Sequence, residues 1–121
     1  MARYQFTTLM NQISKSSTLG TTGVSGYRRL GFQFKLSNVV SGNGIFKVQG
    51  TTNGTDWTFL AMIDNLTNTN SQNLTRVLSK TLSANSSVLM WTDEGLSLRA
   101  IRVSATITTD GSYSAYLMAS E

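Results

Sequence analysis

Residues 46–60 read FKVQGTTNGTDWTFL, and the fold turns on how that stretch is taken. With Ile45 in front, Phe46, Val48 and Gly50 fall on one side of an extended chain and Ile45, Lys47 and Gln49 on the other. That is the period-2 pattern of a strand with one face in a core. TTNGTD then supplies Asn53-Gly54, a strong hairpin signal because both residues tolerate positive φ. Asp56 can bond loop amides, and Trp57 opens a second apolar run, WTFLAMI, whose ring can close the end of a core. The same residues also suit a ligand loop with Trp57 as an aromatic platform beside Asn53 and Asp56. A hairpin stitching two core strands needs no ligand, so it is the first reading and the ligand site the second.

The period repeats on both sides of the hairpin. Leu30, Phe32, Phe34 and Leu36 alternate with Arg29, Gly31, Gln33 and Lys35. Toward the C-terminus, Ile101, Val103, Ala105 and Ile107 share one face, and after a TTDG turn Tyr113, Ala115, Leu117 and Ala119 share another. SVLMWT, ending in Trp91 and Thr92, is a further short strand before an acidic turn at Asp93-Glu94. LTRVLSKTL is a more mixed one, preceded by a polar loop over 64–73. These elements predict an all-β chain of seven or eight strands, a single antiparallel β-sandwich either jelly-roll-like or immunoglobulin-like. The sandwich domain is expected over 27–121. Residues 1–26 are polar and glycine-rich and are expected to form an N-terminal arm, with a short strand lined by Tyr4, Phe6 and Thr8.

Composition agrees. The 121 residues suit one core, and 17 Thr, 16 Ser and 9 Asn favour strands and turns over helices. Cysteine, histidine and proline are absent, so disulfides, thiolate metal sites and the usual general base are excluded. No run approaches the ~20 apolar residues of a membrane helix, and MARYQFTTLMNQ lacks the apolar core of a secretory signal, so folding in a cytoplasm is expected. The sequons at Asn53, Asn65, Asn73 and Asn85 read as products of a composition rich in Asn, Ser and Thr. The net charge of +4 is spread along the chain, and only Arg28 and Arg29 are adjacent. Nucleic acid is not expected as a partner on this pattern: on an ideal strand Arg99 and Arg102 point to opposite faces. The carboxylates Asp56, Asp64, Asp93, Glu94, Asp110 and Glu121 lie in turns or at the C-terminus, with no facing pair for acid–base work. A Ca²⁺ site at Asp56, Asp93 or Asp110 is a minor reading. No enzyme activity, cofactor or metal is expected.

The hairpin residues Phe46, Val48, Gly50, Thr51, Asn53, Gly54, Trp57 and Leu60, with the terminal strand pair over 95–120, resemble small β-sandwich virion structural proteins of tailed bacteriophages. The usual hairpin tip of that group is Asp-Gly, and residues 1–26 have no counterpart in it. The resemblance covers about half the chain and implies a head decoration or capsid, connector or tail component, made in the host cytoplasm and located in the virion. Such a part works by symmetric assembly into a homo-oligomer, through protein–protein interaction with copies of itself and with other virion proteins. Residues 1–26 and a face carrying Leu60, Met62, Tyr116 and Met118 are the expected interface. The alternative is a carbohydrate-binding module that stacks a glycan on Trp57 or Trp91. A free-standing cytoplasmic sandwich is the third.

Overall fold

The computed structural model describes residues 4–64, 76–92 and 98–121, with the side chain of residue 64 left aside. The acidic turn at 93–94 and most of the loop expected at 64–73 lie outside these residues. No helix occurs among them, and two antiparallel sheets pack face to face. The strands are β1 (Tyr4–Ile13), β2 (Ser17–Gly23), β3 (Arg29–Ser37), β4 (Asn43–Thr51), β5 (Thr58–Phe59), β6 (Met62–Asp64), β7 (Arg76–Val77), β8 (Lys80–Leu82), β9 (Ser86–Thr92), β10 (Ala100–Thr108) and β11 (Ser112–Ser120). The six-stranded sheet runs β1-β11-β3-β9-β6-β7 and the five-stranded sheet β2-β10-β4-β5, with β8 also paired to β4.

The sandwich is as the alternation dictates. Leu30, Phe32, Phe34 and Leu36 of β3 and Tyr113, Ala115, Leu117 and Ala119 of β11 point inward from one sheet. Phe46, Val48, Ile101, Val103 and Ala105 meet them from the other. The Phe34 and Phe46 rings stack across the core, 4.6 Å between centroids and 11° between planes, with Phe32 and Tyr113 extending the aromatic run.

Three expectations are revised. The N-terminal arm is instead sheet: β1 pairs with β11 and β2 with β10, so the stretch closes one side of the sandwich. A bulge between Thr8 and Met10 turns both Leu9 and Met10 inward, where each is buried, and that break in period hid the continuation of the short strand to Ile13. Gly20, at φ +75°, lets β2 approach β1 so closely that a Cβ there would sit 2.7 Å from that of Leu9. Second, WTFLAMI is not one strand: β5 completes the hairpin in the five-stranded sheet, and β6 lies in the other. Third, the mixed segment after residue 73 divides into β7 and β8, which belong to different sheets.

A latch closes one end. The β3–β4 and β10–β11 connections both cross between sheets there. Asp110 accepts hydrogen bonds from three successive backbone N–H groups, Val40 at 3.1 Å, Ser41 at 3.3 Å and Gly42 at 2.6 Å. The buried Tyr113 hydroxyl donates to the Asp110 carbonyl at 2.9 Å.

Candidate functional site

The strand registers line up side chains on the outer face of the six-stranded sheet. One row runs Phe6, Met118, Gly31, Trp91 across four strands and ends on β6 at Ile63, which is itself buried. The next runs Thr8, Tyr116, Gln33, Leu89, and Tyr4 stands in the row on the other side. These are the outward positions of strands whose alternate residues fill the core, so the pleat itself gathers them. Phe6 is 76% exposed, Tyr4 63% and Leu89 52%, with Met118 and Trp91 also exposed. A contiguous exposed apolar patch of this kind is uncommon on a monomeric domain. Gly31 offers no side chain between Met118 and Trp91, which leaves a shallow hollow of about 390 Å³ beside the protruding Phe6. Arg29 and Lys35 stand outward on β3 at the margins.

The expected interface residues therefore separate. Tyr116 and Met118 do lie on this face. Leu60 and Met62 do not: Leu60 is 8% exposed and Met62 fully buried, both in the core. Their segment is apolar on both faces, so its period carried no direction, and the crossing between sheets turns both inward. Leu89 and Gly31 were missing from the sequence-derived interface, and Phe6 entered it only as one of residues 1–26. The Tyr4/Phe6/Thr8 alternation signals the strand, and only the pairing with β11 shows that this side faces out.

The hairpin loop is internally organised. Asn53 Oδ1 accepts from the backbone N–H groups of Thr55 at 2.9 Å and Asp56 at 2.8 Å, while its Nδ2 donates to Asp56 Oδ2 at 2.8 Å. The Gly54 N–H donates to Thr51 Oγ1 at 3.0 Å, and Gly54 takes φ +87°. Asn53 itself keeps negative φ and acts through its side chain, an Asx turn. The half-buried Trp57 carries the Arg102 guanidinium 4.2 Å from its ring centroid. Arg99 lies just before β10, exposed, with Nη1 3.4 Å from the Asn53 carbonyl. Both guanidinium groups thus reach the same hairpin, although their side chains leave the chain in different directions.

Carboxylates do not converge on a cation site: no group of three or more occurs among the described residues. Asp110 and Asp56, two of the three Ca²⁺ candidates, are held by the amide donors just described, and Asp93 lies outside the described residues.

The fold is similar to that of the SPBc2 prophage-derived protein YomS, with a TM-score of 0.75 over 100% of this chain and 96% of that one. Sequence identity is 13%, so the likeness establishes a shared fold. No protein-family model and no curated protein sequence matches the chain.

Proposed function

We propose that this protein is a structural component of a bacteriophage particle, a head decoration or capsid, connector or tail part, that assembles with copies of itself through the outer face of its six-stranded sheet. The observation that carries the reading is the Phe6–Met118–Gly31–Trp91 row. A protruding ring and a side-chain-free hollow stand two strands apart on one face, roughly 10 Å at ordinary strand spacing. A closed symmetric contact needs such a self-complementary patch, so that Phe6 of one copy enters the hollow over Gly31 of the other and the reverse. The fold shared with a prophage-derived protein and the hairpin resemblance support the phage setting. A specific contact of roughly 800 Å² per partner would bury these side chains and exclude water from them.

Glycan binding has less support. One face of Trp57 is covered by Arg102, and Trp91 stands among apolar neighbours rather than beside polar loop groups.

Light scattering over a concentration series tests the reading. A mass that is a multiple of 13.2 kDa, reduced by Phe6→Ala and by Gly31→Leu, is expected. A monomer throughout, in wild type and variants alike, overturns it.

A further inference from the structure

The outer face of the five-stranded sheet has a different chemistry. Lys47 and Gln49 of β4 stand opposite Ser104 and Arg102 of β10, and Phe59 of β5 stands opposite Gln49. Lys47 Nζ lies 5.3 Å from the centroid of the Phe59 ring, which is 46% exposed. The Arg102 guanidinium lies over the Trp57 ring while its Nε donates to Gln49 Oε1 at 2.9 Å, which fixes its place on this face. Arg99 reaches the hairpin tip, with Nη1 3.4 Å from the Asn53 carbonyl. It borders an open cleft of about 540 Å³ that Tyr27 and Arg28 also line. Of the described carboxylates, Asp56 at the tip is bonded by Asn53, Asp110 is held by the β3–β4 connection, and Glu121 lines a separate hollow with Gly26 and Arg28.

We propose that this belt binds single-stranded nucleic acid. Lys47, Arg102 and Arg99 supply a track of cations for successive phosphates, and the Arg102–Trp57 and Lys47–Phe59 pairs place planar surfaces along it. Bases stack on aromatic rings and on guanidinium planes alike, with little sequence preference. A duplex would present only phosphates to this face, leaving the planar groups unused. An acidic glycan would offer C–H faces to the Phe59 ring but no π-face to the guanidinium plane of Arg102. The inference is independent of the assembly reading, which concerns the opposite sheet.

The two tryptophans make the test specific, since Trp57 lies in the belt and Trp91 on the other sheet. In full-length Trp91→Phe protein, oligothymidylate should quench the fluorescence of Trp57. In Trp57→Phe protein, the signal of Trp91 should not respond. Three phosphate contacts imply a salt slope near −0.7 × 3, so affinity should fall about 20-fold between about 50 and about 200 mM salt. Arg102→Gln and, independently, Lys47→Gln should each weaken binding and lower the slope by about 0.7 while melting near wild type. Either variant suffices if the other folds poorly. No binding at low salt, a response from Trp91 instead of Trp57, or equal affinity for polyglutamate would each overturn the proposal. The last outcome would mean simple anion attraction.

Discussion

Replacing Asp110 by Ala removes the acceptor for three consecutive N–H groups of the β3–β4 connection, which the chain otherwise joins only through the fold. The Gly42 N–H is the most enclosed, in a buried residue and 2.6 Å from the carboxylate. Left without a partner, it costs about 1–3 kcal/mol. Val40 and Ser41 are exposed, so water replaces much of their loss, and by analogy with helix N-caps they contribute about 1 kcal/mol together. The sum is about 2–4 kcal/mol. For a domain of this size a loss of 1 kcal/mol lowers Tm by roughly 4 °C, so a fall of about 8–16 °C is expected in a thermal melt. Asp110→Asn keeps one acceptor oxygen and should lose about half as much. Asp56→Ala is the control: that exposed carboxylate bonds the side chain of Asn53, and the change should stay within about 0.5 kcal/mol. If Asp110→Ala melts within about 2 °C of wild type, the latch does not hold the end of the sandwich and the reasoning fails.

Tyr113 gives the molecule an alkaline limit. Burial first, and the nearby Asp110 charge second, push its phenol above its usual value of 10.0. The folded state therefore keeps a proton that the unfolded chain loses near pH 10. This contribution is complete below that pH and falls as pH rises through it. Urea midpoints at pH 9 and 11 should drop more for wild type than for Tyr113→Phe, which itself loses about 1 kcal/mol at neutral pH with the hydroxyl's bond to Asp110. Gly44→Ala should destabilise by about 1–3 kcal/mol in a denaturant titration, because a Cβ there would meet the Tyr113 ring, with Cδ2 only 2.6 Å away. Thr109 is a β-branched residue at φ 66°, so Thr109→Asn should raise stability by about 0.5–1 kcal/mol; an unchanged melt would show that the turn is unstrained.

Period 2 made the central strands legible because each has one dry face and one wet one. Leu30 to Leu36, Phe46 to Gly50 and Ile101 to Ala105 are buried at alternate positions as their patterns require. The hairpin was legible for a local reason: Asn-Gly turn chemistry acts within a few residues, and the Asn53 bonds are of that kind. The edges were not. The bulge at Leu9 breaks the alternation of β1, and the polar β2 acquires its structure by pairing with β10. Leu60 and Met62 lie where the chain changes sheets, and local alternation has no memory across such a crossing.

The sequence by itself determined that the chain builds a two-faced β core without disulfides and without histidine chemistry, because composition and alternation are properties of neighbours along the chain. The tertiary structure alone decided which outward residues meet. Phe6 joins Met118, Gly31 and Trp91, Arg102 covers Trp57, and Asp110 reaches Val40 to Gly42, all through strand pairing and sheet crossing between distant segments. Those meetings depend on register and strand order, which a period of two leaves open.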